Sequence, residues 1–461
     1  MSVRSSALDY MCHRLEGVSV GVFRLESQNQ TSNITPQSII RFTLPSNALV
    51  DMHSFAFHFN AQTSAGVAAG GQVRLPNKIE SLLNRVEVSI GGVAVSSGAN
   101  FYNTLVHALS VVDGWKDDAA QSHPEIITTG AGNNYVDGVS LVGAAQNAGE
   151  QPTSVAQAAQ FCISEWAGFL GECEPRVLDT SLLGDIVVTL YLEQPQLCIT
   201  QSDGVAAGTF ITSAALGAIP AISYVLNNVY ATVRVFSLAS GVYDNLIAEQ
   251  MDSAGSIEVG FKQYFSFRDT NTGSTRWTIA SQSLDRIMVA HHFNAQPNGA
   301  TQHPVLAQGY NAIGATAADR TLGFGKAKYL HPYSQFTQPV PAAGTQCLFE
   351  YQLNGAKFPQ WRASPDDLYE LLSLASHDDE WDCSYRGRME YLNDKFVSAI
   401  KLTLDAPNAR FIQGLDTRSV SLNGYYYIYN NSAAAGTVVT LFAEVTSSLL
   451  ISDGRQIELI Q

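Results

Sequence analysis

Apolar and polar residues alternate along much of this chain, and the alternation recurs in two separate stretches. Arg85-Val86-Glu87-Val88-Ser89-Ile90 and Val93-Ala94-Val95 flank Gly91-Gly92 in the first. Asn228-Val229-Tyr230-Ala231-Thr232-Val233-Arg234-Val235-Phe236 carries the same period of two in the second. That period predicts strands with one face on a core. Two glycines between alternating runs predict a tight hairpin, because glycine accepts the positive φ such turns need. Further strands are predicted at Ser38–Leu44, Ser54–Asn60 with Phe55, Phe57 and Phe59 on one face, and Asp185–Leu192 with Ile186, Val188, Leu190 and Leu192 on one face. In the second half the predicted strands are Ser223–Phe236, Ser256–Phe267, Arg276–Ala280, Arg286–His292, Phe396–Leu404, Ser421–Tyr429, Thr437–Val445 and Gln456–Ile460.

Two helices interrupt the strands. Phe101, Leu105, Ala108, Leu109 and Val112 recur at helical spacing, with Asn100 as the expected cap. Ser364-Pro365-Asp366-Asp367 opens the second, with Ser364 as N-cap, proline at the first helical position and acids at the positive dipole end. Leu368, Leu371, Leu372 and Ala375 form its apolar stripe. Between these elements lie long low-charge loops, at Thr63–Gly71, Ile127–Gln160 and Asn294–Arg320. A Gly/Ala-rich stretch, Gln201–Ala218, reads as a linker. The pattern is all-β, two strand-rich units each with one short flanking helix. The expected division is an N-terminal arm at 1–34, a first unit at 35–200, a linker at 201–220 and a second unit at 221–461.

Composition narrows the function. The chain has 461 residues, enough for two cores, and 46% hydrophobic content excludes a disordered chain. Only 15% of residues are charged, which suits a surface that meets other protein. The net charge of −15 and the lack of Lys/Arg clusters argue against sequence-specific nucleic-acid binding. Arg4 and Arg14 leave open a weak inner contact of the arm with membrane or genome. No basic start followed by an apolar run indicates a secretory signal, and no run is long enough to span a bilayer. Cys12, Cys162, Cys173, Cys198, Cys347 and Cys383 are scattered and read as free thiols. The sequons at Asn29, Asn33 and Asn430 read as chance matches without such a signal.

Candidate chemistry is thin. His377 with Asp378, Asp379, Glu380 and Asp382 offers hard oxygen ligands but not the spacing of a calcium loop, and reads as a solvated acidic helix end. The neighbours His291 and His292 point to opposite faces of a strand and cannot readily share a metal. Gly323-Phe324-Gly325-Lys326 lacks phosphate-loop spacing. Tyr425, Tyr426, Tyr427 and Tyr429 suit sheet packing, or sugar stacking as in a lectin. No zincin motif is present, and the expectation is a non-enzyme with no catalytic, cofactor or metal residues.

Longer stretches resemble the double jelly-roll major capsid proteins of tailless double-stranded DNA viruses, the lineage of adenovirus hexons and giant-virus capsid proteins. The likeness is greatest to the virophage and polinton-like virus branch. Leu75-Pro76-Asn77-Lys78-Ile79 through Asn84–Gly92 resembles the hairpin of its first barrel. Gly168-Phe169-Leu170, Pro175–Thr180 and Leu183–Ile186 resemble the end of that barrel. Asn228–Phe236, Phe261–Phe267 and Ser283-Leu284-Asp285-Arg286 resemble the opening of the second, and Phe442–Val445 to Asp453-Gly454-Arg455 its close. The resemblance implies two tandem eight-stranded jelly-roll barrels and three chains per pseudo-hexameric capsomer. It also implies an icosahedral shell around a double-stranded DNA genome, with penton and minor or cement proteins as partners and the virion as location. The alternative is a two-domain β-sandwich that binds or cleaves carbohydrate through an aromatic groove holding a carboxylate.

Overall fold

A computed structural model describes residues 19–63, 73–74, 79–96, 100–114, 159–181, 183–195, 200–201, 223–237, 255–271, 273–293, 336, 338–339, 341–376, 388, 391–392, 395–403, 414–418, 422–431, 437–452 and 456–460. The first half contributes β1 (Ser19–Glu26), β2 (Ile39–Thr43), β3 (Leu49–Thr63), β4 (Val73–Arg74), β5 (Leu83–Ile90) and β6 (Val93–Ser96). After the helix Tyr102–Val112 come β7 (Ala159–Ile163), β8 (Val177–Asp179), β9 (Ile186–Leu192), β10 (Thr200–Gln201) and β11 (Tyr224–Ser237). The second half contributes β12 (Ser256–Asn271), β13 (Ser274–Ile279), β14 (Leu284–Phe293), β15 (Leu348–Leu353) and β16 (Ala356–Ala363). After the helix Pro365–Ala375 come β17 (Val397–Lys401), β18 (Leu422–Tyr429), β19 (Thr437–Ser452) and β20 (Gln456–Ile460).

Four of the sheets have four strands in line, and they form two identical pairs. The first pair is β1-β11-β3-β7 with β2-β9-β5-β6; the second is β12-β19-β14-β17 with β13-β18-β15-β16. Set aside the short β4, β8 and β10 and the terminal β20, which pairs with the end of β19, and number the remaining eight strands of each unit in chain order. Both units then read first-eighth-third-sixth in one sheet and second-seventh-fourth-fifth in the other. This is the antiparallel two-sheet arrangement of an eight-stranded jelly roll, made twice.

Finer detail repeats as well. The fourth and fifth strands of each unit form a hairpin through two positive-φ residues, Gly91 and Gly92 in one, Asn354 and Gly355 in the other. A helix follows the fifth strand in both. Leu178-Asp179-Thr180 and Leu415-Asp416-Thr417 occupy the same place beside the third strand. Ala48 N–H donates to Thr180 Oγ1 at 2.9 Å while Thr180 N–H donates to the Ala48 carbonyl. Ser281 N–H donates to Thr417 Oγ1 at 2.8 Å while Thr417 N–H donates to the Ser281 carbonyl. In each unit one threonine thus closes both backbone groups of one residue.

The topology corrects the sequence-based division. β11 was expected to open the second barrel, but it lies between β1 and β3, with Phe23 opposite Val233 and Ala56 opposite Thr232. It is the eighth strand of the first unit, and β1 lies within the stretch read as an arm. The Gly/Ala-rich stretch read as a linker falls in the chain between the seventh strand and the eighth, and nearly all of it lies outside the described residues. The units join between Ser237 and Ser256 instead. Asn100 does not cap the first helix: Phe101 does, at φ 60° and without a side-chain cap, while Asn100 bridges to Arg85. Ser364 caps the second helix as expected, and Asp367 completes a capping box. Leu371 in its stripe is only half-buried.

Aromatic side chains fill both sandwiches. Phe42, Phe55, Phe57, Phe59, Phe161 and Trp166 are buried in the first, and Phe349, Tyr351, Tyr391, Phe396 and Tyr426 in the second. Each removes apolar surface worth roughly 1.5–3 kcal/mol from water. The buried apolar residues form one continuous cluster that runs through both units.

Candidate functional site

The largest concentration of buried charge lies where the units meet. Arg286 stands near the start of β14, at the head of the apolar run Ile287-Met288-Val289-Ala290, and is fully buried. Its guanidinium grips Asp113 with two nitrogens at 2.7 and 2.9 Å and donates to Glu444 on β19 from Nε at 2.9 Å. It also donates to the Ala375 carbonyl at 3.2 Å. Asp113 ends the first helix and Ala375 is the last residue of the second. One cation therefore sits at both helix C-termini, the end of a helix that favours positive charge.

Lys262 on β12 extends the network. Its ammonium donates to Asp285 at 2.6 Å and to Thr446 Oγ1 at 2.8 Å, with Glu444 3.7 Å away. Ser283 and Thr446 hydroxyls also donate to Asp285, each at 2.6 Å. Burial alone would lower the Arg286 pKa, but the Asp113 and Glu444 carboxylates outweigh it and raise it. The carboxylates are filled by donors from the chain itself, the arrangement of a joint rather than of a site that takes up substrate.

Backbone and rings reinforce the joint. Glu174 and Gly260 exchange backbone hydrogen bonds at 2.7 and 2.8 Å, so the first unit pairs with the edge of β12. Phe169 meets Phe261 edge-on at 5.1 Å, and Arg268 lies 4.8 Å over the Phe101 ring. A cavity of about 600 Å³ opens at the seam, lined by Asp113, Trp166, Glu172, Lys262, Tyr264 and Arg286 among others.

Glu172 is the titrating member. It accepts from Gly168 N–H at 2.6 Å and from the Tyr264 hydroxyl at 3.1 Å. Burial, then the Glu444 charge, pushes its carboxyl up from 4.5 to about 7, against the pull of Gly168, Lys262 and Tyr264. Between those values the folded chain keeps a proton that the unfolded chain has released. Stability therefore falls as pH rises from 4.5 to about 7 and levels off above it. Glu172→Gln is expected to flatten that slope in urea-unfolding midpoints measured from pH 5 to 8; an unchanged slope would assign it to other groups.

The sequence candidates do not converge here. His291 is buried in the second core, bonded to the Tyr426 hydroxyl at 2.8 Å and packed between Phe349 and Phe396. The side chain of His292, the group His377–Asp382, Gly323–Lys326, Arg4, Arg14, Cys12, Cys198 and Cys383 lie outside the described residues. Cys173 and Cys347 are free thiols; burial pushes Cys173 up to about 12 and Cys347 to about 11, away from reactivity. Tyr425, Tyr427 and Tyr429 stack in a ladder at 5.8 Å spacing, while Tyr426 turns into the core. Glu350, opposite Tyr427, is buried and ion-paired with Lys357 at 3.1 Å, and Arg362 covers the Tyr429 ring. The Asn29 and Asn430 amides donate to the backbone carbonyls of Ile39 and Gln346, and the Asn33 N–H is held by Asn227. Among the described residues no group of three or more His, Cys, Asp or Glu is placed to hold a metal ion, and no helix is long and apolar enough to cross a membrane.

Sequence reasoning quoted Asp285-Arg286 without finding the joint. A charge heading an apolar strand signals a buried partner, but Asp113 and Glu444 lie 173 and 158 residues away.

No family model and no curated protein sequence matches this chain. Solved structures do. The capsid of the virus PBCV-1 aligns at TM-score 0.52 and 13% identity, covering 96% of this chain and 97% of that one. The Faustovirus major capsid protein aligns at 0.53 and 10%, covering 94% and 91%. The Sputnik virophage aligns at 0.53 and 12%, covering 96% and 88%. Over nearly its whole length, then, this chain carries the double jelly-roll fold of those viral capsid proteins.

Proposed function

We propose that this chain is a viral major capsid protein, a non-enzymatic shell subunit. Three copies form a pseudo-hexameric capsomer, and capsomers tile an icosahedral shell around a double-stranded DNA genome. The observation that carries this reading is the repeated strand order: one chain presents two copies of one brick, locked by a buried ionic joint. Three such chains supply six similar barrels, the number a hexagonal lattice needs. The low share of charged residues in the chain and a fold shared with capsid proteins over more than nine-tenths of it support this reading.

The same reading places the chain in the virion, with penton and minor or cement proteins as neighbours, and a weak inner contact of the N-terminal arm with membrane or genome. Size-exclusion chromatography with light scattering tests its first step. Three chain masses are expected; a single mass at high concentration would sink the reading.

A further inference from the structure

The first unit holds the edge of β12 with one short segment, Gly168–Glu174. Its helical turn Phe169–Glu172 sets Phe169 edge-on against Phe261, and just beyond that turn Glu174 exchanges backbone hydrogen bonds with Gly260. Glu172 sits between these two grips and faces the seam cavity, where it is half-buried. Both its oxygens accept from the Tyr264 hydroxyl of β12, at 3.1 and 3.2 Å. The segment has little local give, because Gly171 packs so closely on the Trp166 carbonyl that a Cβ would have no room. A push on Glu172 therefore falls on the contact with β12.

The charges around Glu172 do not balance. From the second unit it is faced by Tyr264 and Lys262 on β12, Arg286 on β14 and Glu444 on β19. From the first it is faced by Asp113 and Tyr102 of the first helix region, by Glu165, and by His53 of β3, whose imidazole bonds the Cys173 carbonyl at 3.0 Å. Beside His53 on β3, Asp51 is paired with Arg176. Arg286 pairs with Asp113 and Glu444, Lys262 pairs with Asp285, and neither cation forms an ion pair with Glu172. An ionised Glu172 thus adds a carboxylate to a seam that already holds Glu444, and a protonated one adds none. Because the cavity opens at the seam, the proton can leave without unfolding.

We propose that Gly168–Glu174 is a proton-operated clasp: with Glu172 protonated it holds β12, and ionisation of Glu172 releases it while the Arg286 joint keeps the units linked. In the closed seam the proton stays up to about pH 7; with the segment swung free it stays only to the ordinary carboxyl value of 4.5. Release therefore grows as pH rises between those values and levels off above the higher one. The two barrels are held more tightly in mild acid than in mild base. The device belongs to the single chain and stands apart from the capsomer reading.

Hydrogen exchange of the full chain at pH 5 and pH 8 tests it, read by mass on the peptides carrying the Glu174 and Gly260 amides, which bond across the seam. Glu172→Gln is the reference at each pH, which cancels both the chemical exchange rate and the charge state of His53. The ratio of wild-type to variant exchange is expected to rise about tenfold from pH 5 to pH 8, a figure reduced for solvent screening at a half-buried group. Tyr264→Phe removes a donor that favours the ionised form, so it is expected to move the release to higher pH. An unchanged ratio overturns the clasp, as does a rise shared by every peptide of the chain, which would be global loosening. If Glu172→Gln already exchanges fast at pH 5, the Tyr264→Phe variant decides: an upward shift supports the clasp, and no shift or a downward one overturns it.

Discussion

Arg286→Met is expected to destabilise the chain by about 3–5 kcal/mol, the cost of leaving buried carboxylates without their cation. The side chain is fully buried and serves Asp113, Glu444 and the end of the second helix at once. Its loss takes the nearer cation from Glu444, which is also buried, leaves Lys262 3.7 Å away, and sets that charge beside the raised-pKa Glu172. Adding Glu444→Gln removes one of the stranded charges, so the double variant is expected to lose less than the sum of the two single losses. Urea unfolding at fixed pH measures both. A loss under about 1 kcal/mol, the range of an exposed ion pair, would show that the joint is wet and does not hold the units together.

Gly424→Ala is expected to be nearly as severe, through crowding rather than charge. Gly424 of β18 lies directly across from Trp277 of β13, and a Cβ there would overlap the indole ring. Trp277 is buried and the backbone on both sides is held in the sheet, so the ring has little room to move. Forcing a methyl into such a site costs typically about 1–3 kcal/mol. The fall in thermal midpoint is expected to come with a change in tryptophan fluorescence, since the indole must shift. A stable variant with unaltered emission would mean that the strand itself relaxes away.

Local elements were readable because their causes are local. Period-two alternation located Phe55, Phe57 and Phe59 in the core, Gly91-Gly92 announced its hairpin, and Ser364-Pro365 announced a helix start. Strand partnership was not readable in the same way. β11 has the alternation of an opening strand, and only pairing with β1, about 210 residues earlier, identifies it as a closing one. Composition misled at the same point, because a Gly/Ala-rich stretch can separate two strands of one barrel as readily as two barrels. The repeat Leu178-Asp179-Thr180 and Leu415-Asp416-Thr417 was the available signal for the true register of the duplication. Three residues were too few to weigh until both threonines were seen to bond the same backbone position. The joint was hidden for a related reason: its charges belong to five separate elements, each of which alone looks like an ordinary strand or helix end.

A cryo-electron microscopy reconstruction of the purified assembly tests the doubled brick most directly. The expected map has six barrels in a ring, with Tyr224–Ser237 seated between Ser19–Glu26 and Leu49–Thr63 of the same chain. A map in which Tyr224–Ser237 pairs with strands of the second unit, or in which one chain forms a single sandwich, would contradict the account.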